Sequence, residues 1–477
     1  MIGWIILGAF VVLIATLLIR TAMFKPKDAQ KATPEAVDID EKRAVESLRQ
    51  MIRCKTVSSR DKSTVDEKEF VKFRELLKSR YPNIHKVCKL ENIGETGLLY
   101  CWKGKKSEEP TVLMAHYDVV PADEAAWEKP AFEGIIEDGF LWGRGTLDTK
   151  GTLVGVVEAT EKLIGEGFVP ENDIYLSFSG NEEIMGESAP DIVTELEKRG
   201  VAPALVVDEG GAVVEGVFPG VNDKCALIGI GEKGMMDLEF YYKSTGGHAS
   251  APPPHGPVGK LAQAVVDVEA HPFKCTLSNP VAAMFDTLGR RSNFVYRLIF
   301  SNLWLFLPVL DMLCKKTGGE LNAMMRTTCA FTMMDASKAS NVLPPDAKVV
   351  ANLRLIEGDT PESVIEKIKK TINNDEIELK MVYGMKPSIS SDMSSVGYKK
   401  LKNAIEQTWT EAVVSPYLMV ACSDSRHFCR ISDKVMRFSA MELTKQERGF
   451  IHANNERIPL EKIGTTVRFY VRLIKQC

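Results

Sequence analysis

Tyr175–Gly186 reads YLSFSGNEEIMG. A mostly apolar run with β-favouring residues ends in a small turn, and two glutamates follow side by side. The run predicts a buried strand over Asp173–Ser179. At neutral pH the adjacent carboxylates of Glu182 and Glu183 repel unless a positive charge sits beside them. A charged loop at a strand end is the plain alternative.

Working outward, Thr111–Val120, TVLMAHYDVV, is a second strongly apolar strand, and Ala204–Val207 is a third. Gly151–Gly165 and Ala189–Lys198 read as the helices between them. Strand–helix alternation argues for an α/β domain with a largely parallel sheet. A helical pattern opens at Asp40, with Ala44, Leu48 and Ile52 on one face. Near Gly231 the rhythm changes. MMDLEFYYKS and VVANLRLIEG alternate as half-exposed strands, and PESVIEKIKKTI is an amphipathic helix. This predicts an α+β insert over 231–384, between catalytic segments 40–230 and 385–477. Residues 25–39, KPKDAQKATPEAVDI, read as a tether.

The chain has 477 residues, enough for more than one domain. Its 45% hydrophobic and 26% charged content is that of a globular protein with a real core. A net charge of −4 without a long basic run argues against nucleic acid as a main partner. The ten cysteines are scattered and form no C-x-x-C pair, which predicts buried free thiols and leans towards a reducing compartment. Ile2–Ile19 is an uncharged apolar run of 18 residues, followed by Arg20, Lys25 and Lys27. It lacks the basic start and small-residue cleavage site of a signal peptide, and reads as an uncleaved single-pass anchor. The basic residues after the span place the bulk of the chain in the cytoplasm by the positive-inside rule. Asn293–Leu313 is also very apolar, but Arg297, Pro308 and Asp311 interrupt it. It reads as a helix buried in the insert or an apolar flap over a pocket, with a second membrane span as the lesser alternative.

Several side chains fall where parallel sheets keep their sites, beyond the carboxyl ends of strands. His116 and Asp118 alternate to the same face in MAHYDVVP, a pairing that suits either a metal ligand steadied by a carboxylate or a core histidine. Asp148 stands in GFLWGRGTLDTKG near a helix start, where a helix cap is the plain reading. That glycine pattern matches neither nucleotide-binding signature. Asp208 closes ALVVDEGG. His452 lies in GFIHANNERIP, before a last periodic run. One histidine, several carboxylates and a distant second histidine suit zinc or a similar divalent ion, and are enough for two.

Together His116-x-Asp118-x-x-Pro121, GRGTLDTKG, NEEIMGE, VDEGG, TGGHAS and GFIHANNE resemble the di-zinc family of aminoacylases, carnosine dipeptidases, succinyl-diaminopimelate desuccinylase and carboxypeptidase S. The motifs occur in family order and cover the chain from about residue 40 to its end. SNLWLFLPVL, RTTCAFTM and ASNVLPP look most like the carboxypeptidase S branch, which also holds N-fatty-acyl amino acid synthase/hydrolases and in which N-terminal anchors occur. The resemblance implies a zinc-exopeptidase-like α/β catalytic domain with an inserted α+β lid/dimerisation domain. It implies two Zn2+, with Co2+ or Mn2+ as substitutes. His116 and Asp208 would bind one metal, with Glu209 the alternative to Asp208. Glu183 and His452 would bind the other, and Asp148 would bridge both with a cis peptide bond after it. Glu182 would be the general base and Asp118 would orient His116.

The implied reaction is hydrolysis of an amide next to a free carboxylate, in a dipeptide, a peptide C-terminus or an N-acyl amino acid. A water shared by two zincs would lose its proton to Glu182 and attack the carbonyl. His248 in TGGHAS resembles the family histidine that reaches the site from the insert, often across a homodimer; a turn histidine is the alternative. Arg426 matches a position that binds the substrate carboxylate. Arg354 and Asn341 are weaker candidates, with strand-surface or loop roles open. The apolar Asn293–Leu313 raises the expectation of a route for a fatty-acyl chain. The competing class is a membrane-tethered, non-catalytic metal- or peptide-binding relative. Relatives in the carboxypeptidase S branch work in a lumen or outside the cell, so the side of the membrane stays open.

Overall fold

The computed structural model describes residues 1–27 and 33–477. Part of the tether, residues 28–32, lies outside the described residues. Its far end is tied down: Arg472 donates to the Glu35 carbonyl at 2.7 Å, and Val37 and Ile39 pack on the core.

Continuous apolar runs become the middle of a ten-stranded mixed sheet, as expected of strands covered on both faces. Lys106–His116 lies between Asn172–Ser179 and Leu205–Asp208 and is parallel to both. His116 pairs with Ser179, and Leu113 with Val207, so the three strands run out at nearly the same level. The antiparallel strands Gly97–Trp102 and Lys89–Ile93 extend one side. Val435–Arg437, Cys225–Glu232 and Val413–Met419 extend the other. Helices Glu41–Ile52, Lys150–Gly165 and Leu460–Ile474 bury against one another on the sheet. Gly155 permits that approach, because a Cβ there would sit 2.5 Å from Thr466 Cγ2. Asp40 caps the first of these helices by accepting from Arg43 N at 2.9 Å.

The alternating segments form a separate four-stranded antiparallel sheet, in the order Thr328–Asp335, Asp346–Leu355, Gly234–Lys243, Ile377–Met385. Helices Pro257–Ala270 and Pro361–Ile372 cover one face and share a core with it, among Phe240, Leu261, Ala351, Leu353 and Ile368.

The region 279–325 departs from its placement in the insert. Helix Asn279–Gly289 and parts of the following helices pack into the larger core, through Val281, Phe285, Phe300, Leu310 and Met325. Of the alternatives open for Asn293–Leu313, the single buried helix is not the one found. It is two helices, Phe294–Ser301 and Leu303–Thr317, bent by 114° at Asn302. Trp304 is 59% exposed and Met312 61%. Asn302 makes the corner possible, since its side-chain amide donates to Leu298 O at 3.0 Å and so occupies a carbonyl at the broken turn.

Candidate metal centre

Each acidic side chain reaches the site by the same local logic: an apolar strand ends, and a tight turn turns a polar residue back over the sheet edge. After Phe140–Trp142 the chain passes Gly145, whose φ of +91° an L side chain would resist. It then presents Asp148 just before helix Lys150–Gly165. The peptide bond Asp148–Thr149 is cis. After Asn172–Ser179 a single 3-10 turn, Glu182–Ile184, carries the glutamate pair.

Asp148 is the centre of the arrangement. Its Oδ1 lies 3.0 Å from His116 Nε2, and its Oδ2 lies 3.0 Å from His452 Nε2. Glu209 Oε1 is 3.5 Å from His116 Nε2, and Glu182 Oε2 is 4.0 Å away. Glu183 Oε2 is 3.1 Å from His452 Nε2. Ligand atoms of His116, Asp148 and Glu183 lie within 4.8 Å of one another, and so do those of His116, Glu182 and Glu209. Those two groups share His116, and Asp148, whose two oxygens face His116 and His452, links them to a second histidine that also meets Glu183, so the geometry offers two adjoining His–carboxylate cages. The donor set fits divalent cations. So does a single orphan: Glu183 Oε1 is buried and accepts no hydrogen bond among the described residues.

The electrostatics describe a cluster short of positive charge. Burial would raise the Asp148 pKa, but hydrogen bonds from His116 and His452 outweigh it and hold the carboxyl well below its usual range. Burial, reinforced by Asp148, pushes Glu209 up to about 8. Burial, with repulsion from Glu209, Asp424 and Glu183 added, holds Glu182 well above the ordinary carboxylate range despite His116. Hydrogen bonds to Asp148 and Glu183 lift His452 to about 10.

Asp208 and Glu209 sit differently. Asp208 Oδ2 accepts from Ser425 N at 2.9 Å and faces the loop beneath the site. Glu209 faces His116. Asp118 is fully buried, and its carboxylate accepts from the backbone N–H of both Glu182 and Glu183 at 3.1 Å and from Ser58 Oγ at 2.7 Å. His116 Nδ1 lies 3.0 Å from the Asp118 carbonyl oxygen and 3.4 Å from its carboxylate. Asp118 thus holds the glutamate turn at least as firmly as it holds the histidine.

Above the cluster opens a cavity of about 560 Å³. Asp148, Glu182, Glu183, Glu209 and His452 form its acidic end. Val214, Leu227, Met235, Tyr417, Met419, Met441 and Leu443 make an apolar wall, and Arg354 reaches in from the smaller sheet. Arg426 does not line this cavity. Its guanidinium is committed, with Nη1 2.8 Å from the buried Glu232 and Nη2 on the Lys386 carbonyl. Glu232 also holds Arg437. His248 is exposed, with Nδ1 2.7 Å from Ser250 Oγ, in a two-residue ribbon beside Asn341. Neither residue lines the cavity.

Two supporting residues were not singled out in the sequence. Glu456 is fully buried; it takes Arg144 Nη1 at 2.7 Å and the N–H groups of Gly145 and Leu147 at 3.0 and 2.7 Å, and so shapes the loop that presents Asp148. Its place in NNER, four residues after His452, was the available signal. Asp424 accepts from Ser179 Oγ, and burial pushes it up to about 7. Nothing in SDSR marks it without the tertiary contact.

A profile of the peptidase family M20/M25/M40 matches residues 112–476. Probable carboxypeptidase S-like 2 of Dictyostelium discoideum is 33% identical over 487 residues, covering 99% of this chain and 93% of the relative. N-fatty-acyl-amino acid synthase/hydrolase PM20D1 of Xenopus tropicalis is 35% identical over 491 residues, covering 99% and 95%. Among solved structures, the M20 family metallo-carboxypeptidase Sso-CP2 of Sulfolobus solfataricus superposes with a TM-score of 0.65 at 18% identity, covering 91% of this chain and 98% of that one.

Proposed function

This chain belongs to peptidase family M20/M25/M40 as a metallopeptidase or amidohydrolase of that family, and from that premise we propose that it cuts the amide of an N-acyl amino acid with a long apolar acyl group. The observation that carries the site reading is Asp148, whose two oxygens face His116 and His452 in adjoining cages.

His116, Glu209 and Asp148 would hold one divalent cation, and His452, Glu183 and Asp148 a second. Zinc suits these ligands, with Co2+ or Mn2+ as substitutes. The ligand role first given to Asp208 passes in this proposal to Glu209, which points into the cage. When bound, such a pair lowers the pKa of a water and polarises the substrate carbonyl.

The protein's own groups do the rest. Glu182 takes the water's proton and passes it to the leaving nitrogen. Its raised pKa suits a group that must hold a proton near neutrality. Asp118 fixes Glu182 through the backbone of the turn. Arg354, rather than the committed Arg426, would take the product-side carboxylate, because it is the arginine facing the cavity from the smaller sheet. The apolar wall would take the acyl chain and exclude water from it. His248 and Asn341, outside the cavity of their own chain, would serve the site of a second copy in a homodimer. The retained anchor is part of the same reading: Leu17 and Thr21 are buried against the body of the protein, which a discarded leader would not need.

The test is release of free amino acid by the full chain from a panel of dipeptides and of short- and long-chain N-acyl amino acids. Zinc should support turnover, chelator should stop it, and long acyl chains should be preferred. Equal kcat/KM for acetyl and long-chain substrates would sink the acyl assignment. Absence of chelator-sensitive turnover on every member would sink the reaction.

A further inference from the structure

The N-terminal helix, Ile2–Met23, does not project freely from its root. Its last turns dock on the corner of the bent helix pair 294–317. Arg20 donates Nε to Asn302 Oδ1 at 3.1 Å and Nη2 to Ser301 O at 3.0 Å. Thr21 Oγ1 lies 3.0 Å from Ser301 Oγ, and the Asn302 amide reaches Leu17 O at 3.3 Å. Only Leu17 and Thr21 of this helix are buried, while Leu18, Ile19 and Met23 stay exposed beside the contact, so the uncharged run Ile2–Ile19 measures about 27 Å at 1.5 Å per residue. A hydrocarbon layer is about 30 Å thick. A span of about that length places the docked turns, and the bent pair that holds them, at the edge of the hydrocarbon.

The bent pair is itself apolar where it would meet that edge. Beside the docked helix it exposes Phe294, Val295, Trp304, Val309, Met312 and Leu313 at 47–64%. Such a surface is costly in water. It is continuous with a helix whose own apolar face is almost wholly exposed. Exposed lysines flank it: Lys25 and Lys27 at one end, Lys315 and Lys316 at the other, the pattern of helices that lie in a lipid interface. Helices of that kind sink about 5–10 Å into the interface.

We propose that helices Phe294–Ser301 and Leu303–Thr317 are seated in the surface of a lipid bilayer, clamped to the spanning helix at Asn302. The proposal rests on the reading of Ile2–Met23 as a retained span. Its consequence is directional. The second helix leads through Gly318 into Gly319–Met325, and Glu320 of that helix lines the cavity that holds the acidic cluster. The seat therefore brings that wall of the cavity to the lipid surface.

The experiment uses the full chain carrying Trp4→Phe, reconstituted into phosphatidylcholine–phosphatidylserine vesicles with lipids brominated either near the headgroup or near the chain ends. The Trp304 signal is the difference between this protein and the Trp4→Phe/Trp304→Phe variant. Shallow bromines should quench it roughly twofold and deep bromines much less. The pair Val295→Glu/Met312→Glu should remove the quenching while the protein still floats with the vesicles. Flotation with Trp304 unquenched by either lipid overturns the seat and leaves the span standing, as does quenching that survives the double glutamate variant. Concentration-dependent self-association that shields Trp304 from lipid overturns it in favour of a second copy. Failure to float at all overturns both.

Discussion

In the proposed reaction the two adjacent glutamates have different tasks. Glu183 keeps an orphan oxygen among the cationic partners of Asp148, while Glu182 sits where burial and three other carboxylates keep it ready to hold a proton. Glu182→Gln should leave metal content unchanged and lower kcat by about 10²–10⁴-fold; metal analysis beside steady-state kinetics checks the split. Asp208 and Glu209 make a sharper test. Glu209→Ala should weaken retention of one of two metals, whereas Asp208→Asn, whose partner is a backbone N–H, should retain both. Equal metal loss in the two variants would reverse the assignment. For the substrate carboxylate, Arg354→Ala should raise KM far more than Arg354→Lys, since the ammonium keeps charge and loses the fork. Arg426→Ala should instead lower thermal stability, because it strips a partner from the buried Glu232.

At the scale of the element, the loop 143–149 shows how an apparently distant residue builds a site. Glu456 lies outside the cages, yet it gathers Arg144 and successive backbone N–H groups and so fixes where Asp148 points. Removing one partner of a buried, hydrogen-bonded ion pair typically costs ~3–5 kcal/mol. Glu456→Ala should cost about that in denaturant unfolding, and should also release metal although no ligand is touched. An unchanged metal content would mean the loop holds its shape without Glu456.

For the whole molecule, the metal-free cluster sets a pH dependence of unusual sign. Glu209 and His452 have folded pKa values raised above their unfolded ones. Each binds its proton more tightly in the folded state, so its stabilisation is complete below the unfolded value and is lost as pH rises through the folded value. For Glu209 that window closes near 8, and for His452 near 10. The opposing Asp148, lowered in the fold, loses its contribution only in acid. Chelated protein should therefore lose thermal stability from pH 6 to 9, and zinc should restore it with release of protons. Melting curves with and without chelator read both; a chelated protein that gains stability over this range would contradict the assignment.

Periodicity and strand ends determined much of this protein from sequence alone. The apolar runs TVLMAH and YLSFS could only be covered strands, and the helix Pro361–Ile372 begins and ends where its pattern does. The motifs that resemble the di-zinc family pointed to His116, Asp148, Glu183 and His452, which the fold brings within reach of one another, because each motif is a short-range feature of the chain. What the tertiary structure alone decided are choices between neighbours and relations across distance. Asp208 and Glu209 are equivalent in sequence, and only the facing of the strand end separates them. Arg426 and Arg354 are both arginines near the right motifs, but a buried Glu232 commits one and leaves the other at the cavity. The apolar 293–313 left a buried helix and an apolar flap open, since composition cannot show a corner; the corner exists because Asn302 satisfies the broken turn and receives the N-terminal helix from more than 280 positions away in the chain. Local pattern sets what an element is, and packing across the chain sets which of its faces is left to act.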